Sequence, residues 1–502
     1  MSTKAHPELP ELEERLQKEN VRVLAGGGKA RQARQKRLWR LLPRERITAL
    51  VDADSFVEVG RHRAHQRSDM DSRLAAIRPP GDGIICGIGM LDGVPIAITA
   101  HDPTVLRGAV GSAGCQKLCQ LLEIAIERKL PMLTMADSDG ARVFEGVHAI
   151  EGWSQVMKLT VLHRKVAPHL TVASGLCVGA VAYNAMLADF VAMVKKQSFM
   201  FITGPSVTQM VTGEAVDIES LGGSHLHAST TGACHAICET ETDAITWAKR
   251  LLDYTLHPTR ETQDTPTRPV TKLREIIPTA PRRAYDMREV LQEVFDQDTL
   301  LELSPEYGPN LLTCLARLGG RSVAILASQP RALMGCLDID SSKKGAKFLE
   351  YANTHKLPVL TLVDTTGYLP GLEQERGGIL VEGARLLRAY AELLSPTISV
   401  TIRKCYGGAS VLAGASKHRL ALPTAEIAPM GAEAATHVAF GPPRANAKSE
   451  EQREAFKASW QKNHGDPWLA AERGFFDAII SPDQLRSELW RSLQVLAYEY
   501  KG

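Results

Sequence analysis

Four short stretches carry the residues best suited to chemistry. They are Asp137-Ser138-Asp139-Gly140-Ala141-Arg142, Ser174-Gly175-Leu176-Cys177-Val178-Gly179-Ala180, Asp364-Thr365-Thr366-Gly367 and Arg403-Lys404-Cys405-Tyr406-Gly407-Gly408-Ala409-Ser410. Each follows a short apolar run of strand length and passes into small residues. Small side chains let a ligand approach the backbone. At a helix start the free N–H groups point outward, and the dipole there favours negative charge. Two such N–H groups can hold an oxyanion that develops during a reaction. Tight strand–helix packing also selects Gly and Ala, but four such turns, spread over two halves of the chain, favour the chemical reading.

Other constellations are weaker. No G-x-S-x-G elbow and no G-x-x-x-x-G-K-[ST] loop occurs, which leaves a serine hydrolase and a P-loop nucleotide site unsupported. Gly87-Ile88-Gly89-Met90-Leu91-Asp92-Gly93 comes near a dinucleotide fingerprint, but a strand pattern follows it, which predicts a hairpin turn. His225 and His227 with Cys234 and His235 lack the spacing and the carboxylate of a usual metal cluster, so no metal is expected. No general base stands out. An enzyme built on these turns would take its base from a cofactor.

The elements that position the turns come in two copies. Residues 122–140 and 349–367 share ten of nineteen positions at an offset of 227. Residues 91–98 match 318–325 at the same offset, and residues 52–59 match 296–303 at an offset of 244. Residues 95–99, 131–135 and 170–173 read as strands, and 322–326, 359–363 and 398–402 repeat them. Helical periodicity occupies 117–126 and ends at Pro131. Strands alternating with helices predict an α/β fold with mostly parallel sheets. The Pro- and Thr-rich stretch 257–269 divides the copies, giving domains of 1–262 and 263–502.

The bulk composition narrows the class. With 502 residues, 44% hydrophobic and 23% charged, the chain suits a multi-domain globular protein. A net charge of +2 gives no global field toward nucleic acid or membrane, and no run of 18 apolar residues occurs. Nine cysteines without a paired pattern predict a reduced, cytoplasmic protein. Leu9–Leu24 reads as a charged helix. Residues 29–46 carry eight Lys or Arg against one Glu; this is either a solvated helix face or an attractor for the phosphates of a nucleotide handle.

Over nearly its whole length, from about Leu9 to Ser481, the sequence resembles the carboxyltransferase (beta) subunits of biotin-dependent acyl-CoA carboxylases of the propionyl-CoA type. The resemblance rests on an ordered set of motifs: GDG at Gly81, DSDGARVFEG at Asp137, FITGP at Phe201, LGG at Leu221, ASQP at Ala327, GCLDIDSSKKGAKF at Gly335, GYLPG at Gly367, IRKCYGGA at Ile402, SKH at Ser416 and PTAEIAPMGAEAA at Pro423. It implies two tandem crotonase-like spiral domains of the ClpP/crotonase superfamily. It further implies a homo-hexamer, with acyl-CoA on the N-terminal domain and biotin on the C-terminal one. The N–H groups of Gly140 and Ala141 are expected to hold the thioester enolate. Those of Gly408 and Ala409, beside Gly407, are expected to polarise the ureido carbonyl of carboxybiotin. CO2 leaves the biotin nitrogen, which takes the α proton, and the enolate captures the CO2. Val411 matches an acyl-pocket position; Lys343 and Lys344 match a CoA-binding region or are ordinary surface lysines. The chain carries no biotin-attachment signature, so a biotin carboxylase and a biotin carboxyl carrier are expected as separate partners.

Three departures from the family pattern fall on the acyl-CoA side. Asp139 replaces a glycine, Arg107 stands where glycine is common, and residues 175–180 differ from GPCAGG at three positions. The turn at Gly407-Gly408-Ala409 is intact. An unusual acyl group follows, or a decarboxylase or transcarboxylase subunit running the same half-reaction in reverse, or a non-catalytic scaffold. A carboxylate near an enolate is unfavourable if it points inward.

Overall fold

The computed structural model describes residues 8–65, 78, 80–280, 283–442 and 447–497. The chain divides into two units, Met1–Leu252 and Asp253–Gly502. Each holds an eight-stranded mixed sheet. In the first unit the strands are β1 (Val57–Val59), β2 (Ile84–Leu91), β3 (Val94–His101), β4 (Met132–Ser138), β5 (His169–Val178), β6 (Phe190–Val194), β7 (Phe199–Phe201) and β8 (Ala236–Cys238). In the second they are β9 (Leu301–Leu303), β10 (Leu311–Leu318), β11 (Arg321–Ser328), β12 (Val359–Thr365), β13 (Thr397–Tyr406), β14 (His418–Ala421), β15 (Glu426–Ala428) and β16 (Ala478–Ile479).

The two sheets share one topology. The first runs β1-β2-β3-β4-β5-β6-β8 with β7 beside β5, and the second runs β9-β10-β11-β12-β13-β14-β16 with β15 beside β13. The strands read from the sequence lie inside β3, β4, β5, β11, β12 and β13, except that Pro131 precedes β4. β4 and β12 are buried along their whole length, as central parallel strands covered on both faces should be. Of the stretch 87–93 expected as a hairpin turn, residues 87–91 lie in β2, and only Asp92 (φ 48°) and Gly93 (φ 76°) make the turn to β3. Positive φ at both central residues matches the right-handed twist of the flanking strands. Gly319 (φ 57°) and Gly320 (φ 79°) do the same between β10 and β11.

Helices cover the sheets in equivalent places. Ser112–Arg128 packs on Val147–Arg164 in the first unit, and Ile339–Thr354 on Ile379–Ala391 in the second. Ser112–Arg128 turns Leu118, Leu121, Leu122 and Ala125 inward at helical spacing, which places them in the core with Ile84, Met132 and Trp153. Leu9–Leu24 is the helix its charge pattern predicted. No helix among the described residues is long and apolar enough to cross a membrane.

Candidate active site

In the first unit the turns after β4 and β5 meet. Gly140 has φ 91°, and a Cβ on it would lie 2.5 Å from the Val178 carbonyl oxygen and 3.9 Å from the Ala180 nitrogen. Only glycine fits this approach. The Gly140 N–H donates to Ser138 Oγ (3.0 Å), which itself donates to the Gly108 carbonyl (2.6 Å). Of the pair named from the sequence, the Gly140 donor is therefore used within its own turn. Val110 N donates to the Gly140 carbonyl and Arg142 N to the Val110 carbonyl, both at 2.9 Å. In such a parallel bridge the middle residue turns its own N–H to the other side, which frees the Ala141 donor.

The second donor beside it belongs to Ala180, which ends one of the four turns singled out in the sequence but was not paired with Ala141 there. Gly179 (φ 55°) caps the helix Ala180–Leu187 and donates its own N–H to the Phe201 carbonyl (3.0 Å). Ala180 is then the first helical residue, whose N–H has no partner within the helix. The signal lay in the internal repeat. β5 and β13 align at an offset of 228, which sets Ala180 against Gly408, whereas Gly140 and Ala141 align with Gly367 and Tyr368. Gly140–Ala141 and Gly408–Ala409 thus end strands that are not equivalent.

Ala141 lines a cleft of about 550 Å³ with Arg31, Arg34, Leu106, Arg107, Asp139 and Phe144 among its walls. Four arginines, Arg142 the fourth, line it against one carboxylate, so the cleft suits an anionic ligand. Arg31 and Arg34 come from the helix Lys29–Arg37, the basic run noted in the sequence. The Arg107 Nε lies 2.5 Å from Asp139 Oδ2, and its Nη2 donates to Oδ1 at 3.2 Å. The two chain-specific departures are therefore one ion pair.

Arg142 anchors the same turn from below. Its Nη1 donates to Asp82 Oδ1 (2.6 Å) and Glu145 Oε1 (2.9 Å), and its Nη2 to the Ala109 carbonyl (2.9 Å). All three charged side chains are buried. Burial pushes the Asp82 carboxyl up, more than Arg142 pulls it down. Burial pushes Glu145 up as well, but hydrogen bonds from Ser112 and the charge of Arg142 outweigh it and hold the group below its usual range.

The second unit repeats the construction without the charge. Gly367 (φ 116°) donates its N–H to Thr365 Oγ1 (3.1 Å), as Gly140 does to Ser138. Tyr368 takes the place of Ala141, and Leu337 bridges it as Val110 bridges Ala141. Beyond β13, Gly407 (φ 59°), Gly408 and Ala409 form one turn of 3-10 helix, and Ser410 Oγ donates back to the Gly407 carbonyl (2.7 Å). Gly408 is exposed, Ala409 is buried, and Val411 on the next helix is 44% exposed. A Cβ on Gly408 would touch the Tyr368 ring at 3.5 Å, so this ring walls the turn. Burial pushes the Tyr368 phenol up to about 12.

The two lysines separate. Lys343 is exposed on the helix Ile339–Thr354. Lys344, expected as either a CoA-binding or a surface lysine, is neither: it turns into the interior, where Nζ donates to the carbonyls of Ser304 (3.0 Å) and Tyr307 (2.7 Å). Burial pushes its ammonium down to about 8. Lys117, its counterpart at an offset of 227, does the same for Gly81 (3.1 Å) and Ile84 (2.5 Å). Both are structural pins. The His/Cys group is likewise absorbed locally: His227 bonds Thr231 Oγ1 and the Met200 carbonyl, and His235 Nδ1 accepts from Val191 N.

Two duplicated α/β units with glycine turns at their parallel strand ends define a tandem crotonase-like protein. The chain belongs to the carboxyl transferase domain family, whose model matches residues 35–500. It is 35% identical over 494 residues to the propionyl-CoA carboxylase beta chain of Roseobacter denitrificans, covering 96% of each chain. It is 37% identical over 495 residues to the mitochondrial propionyl-CoA carboxylase beta chain of Homo sapiens, covering 96% of this chain and 90% of that one. Among solved structures it superposes on the transcarboxylase 12S hexamer with a TM-score of 0.93 and 33% identity, over 99% of this chain and 98% of that one. A single-chain, multi-domain long-chain acyl-CoA carboxylase matches with a TM-score of 0.85 and 26% identity, over 97% of this chain and 49% of that one.

Proposed function

We propose that this chain is the carboxyltransferase component of a biotin-dependent acyl-CoA carboxylase. It would move CO2 from carboxybiotin on a separate carrier protein to the α carbon of an acyl-CoA. Acyl-CoA is assigned to the first unit and biotin to the second, whose boundary at Leu252 falls ten residues before the one read from the sequence. The observation that carries this reading is the Ala141 donor in the wall of a cleft lined by more arginine than carboxylate, with the Ala180 nitrogen 3.9 Å from where a Cβ on the adjoining Gly140 would lie.

The first unit supplies binding and charge stabilisation. Arg31 and Arg34 attract the phosphates of the CoA handle, and the apolar walls at Leu106 and Phe144 shelter the acyl end. The N–H groups of Ala141 and Ala180 meet the thioester oxygen. These fixed dipoles bind the enolate better than the neutral thioester, which is what lowers the barrier. Asp139 is the one acid among the described residues lining the cleft, and Arg107 occupies it, so the protein offers no free base there.

The second unit fits a small neutral ring. Gly408 leaves its backbone accessible, Tyr368 and Val411 give apolar walls, and the turn carries no charged side chain from Gly407 to Leu412. Carboxybiotin, when bound there, supplies the CO2 and, having lost it, the nitrogen base for the α proton. The N–H groups of Gly408 and Ala409 would draw electron density onto the ureido oxygen and ease the loss of CO2.

A biotin carboxylase and a biotinylated carrier are the partners this chemistry needs, and a homo-hexamer is the proposed assembly. Exposed Val143, Phe144, Val147 and Ile150 in the first unit, and Leu372, Leu380 and Val381 in the second, support burial by other copies. The likeness to transcarboxylase 12S keeps a transcarboxylase or decarboxylase role as the second reading, since partners set the direction. The test is incorporation of labelled bicarbonate into a panel of acyl-CoA esters, with ATP, a biotin carboxylase and a biotinylated carrier. Label in one chain length establishes the activity. No label with any ester, from a protein that is folded and hexameric, overturns it.

A further inference from the structure

The Arg107–Asp139 pair occupies the mouth of the acyl cleft and has no counterpart in the second unit. There the equivalent positions are Met334 and Thr366, both uncharged. The pair is also held by the backbone: Asp139 N donates to the Arg107 carbonyl (3.1 Å), while the guanidinium returns to the Asp139 carboxylate. Arg107 has φ 55°, a conformation that glycine adopts at less cost. Met334 adopts the same conformation (φ 52°) in the second unit, so the backbone here belongs to the shared turn and what sets the first unit apart is the charge.

The charge geometry gives that difference a role. Asp139 stands two residues before Ala141, and both line the cleft. A bare carboxylate there would repel the negative charge that grows on the thioester oxygen. It would leave binding of the neutral thioester almost untouched. Building on the acyl-CoA reading of this cleft, we propose that Arg107 is a positioning residue that neutralises Asp139, so that the Ala141 and Ala180 donors still favour the enolate.

The expected result is a split between rate and binding. R107Q keeps the length of the side chain and loses its charge. It lowers kcat by about tenfold, the scale of one partly exposed charge near the reacting oxygen. Its dissociation constant for propionyl-CoA, measured by calorimetry without the carrier, stays close to that of wild type. R107K falls less than R107Q because the charge is kept. R107Q/D139N recovers most of the loss, with D139N completing the cycle.

Three results would overturn the proposal. If R107Q weakens propionyl-CoA binding and leaves kcat alone, Arg107 is a phosphate contact. If R107Q/D139N turns over no faster than R107Q while both melt below wild type, the pair is structural. A wild-type enzyme that carboxylates no ester removes the acyl-CoA reading and this proposal together, whereas wild-type turnover without rescue removes this proposal alone.

Discussion

Replacing Gly140 by alanine tests the geometry of the first site directly. The substitution adds one methyl group at φ 91°, 2.5 Å from the Val178 carbonyl oxygen. The backbone conformation alone costs an L-residue about 1–2 kcal/mol. Crowding against a carbonyl that cannot swing away costs about 1–3 kcal/mol more. Together these lower the melting temperature by about 5–15 °C for a unit of this size. The contact is relieved only if the turn after β4 moves off the end of β5, which separates the Ala141 and Ala180 donors. A displacement of about 1 Å in such a site costs about 100-fold in rate. Two other glycines calibrate the parts. Gly213 (φ 79°) has no atom within 4 Å of its built Cβ, so G213A reports backbone strain alone. Gly367 (φ 116°) meets the Tyr406 carbonyl only at 3.4 Å, so G367A adds ordinary contact. The assay is kcat for acyl-CoA carboxylation together with calorimetric melting. A G140A enzyme with wild-type kcat, and a melting loss no larger than that of G213A, would refute the reasoning.

Two further substitutions probe the buried charges. R142M removes the cation between Asp82 and Glu145 and leaves two buried carboxylates uncompensated; urea denaturation should show a loss of about 3–5 kcal/mol. K344M tests the buried lysine through pH. The folded ammonium, pushed to about 8 from 10.5, binds fewer protons than the unfolded one between those values. Wild-type stability relative to K344M should therefore rise by up to about 3 kcal/mol from pH 8 to 10.5 and stay flat below, and a flat difference throughout would place the lysine in solvent.

Much of the scaffold was legible because its signals are local. Apolar runs of strand length, a helical stripe ending at Pro131 and a repeated block at a constant offset each depend on neighbours in sequence. The ion pair was not legible. Arg107 and Asp139 are 32 residues apart and meet only because the segment after β3 lies beside the turn after β4. Each looked like an isolated departure from a glycine. Lys344 could have been placed. Ser341, Gly345, Phe348 and Ala352 bury one helical face, and Lys344 lies on it while Lys343 does not. The offset that aligned the repeat also sets Lys344 on Lys117. Ala180 stood in one of the four candidate turns, but its pairing with Ala141 was missed, since the resemblance to a family motif drew attention to Gly140 although the repeat pointed at the end of β5.

The comparison of the two units separates what the fold requires from what each site does. Gly108 and Gly335 are both glycine because a Cβ would fall 2.3 and 2.2 Å from the carbonyls of Asp137 and Asp364. Those aspartates each hold a buried arginine, Arg46 at 3.1 Å and Arg403 at 2.8 Å. Gly140 and Gly367, Gly179 and Gly407, and Lys117 and Lys344 pair in the same way. All of these keep strand ends and turns in register, and a duplicated chain cannot vary them without losing the turn. The positions that differ share a backbone and change only their side chains: Arg107 against Met334, Asp139 against Thr366, Ala141 against Tyr368 and Arg142 against Leu369. Charge has collected on one copy and apolar surface on the other. A cationic cleft suits a ligand with phosphates and a developing enolate, while a neutral turn walled by tyrosine suits a ring that carries no charge. One scaffold can thus present the same backbone donors to two chemically different partners, and the side chains around the turns decide which partner each copy accepts.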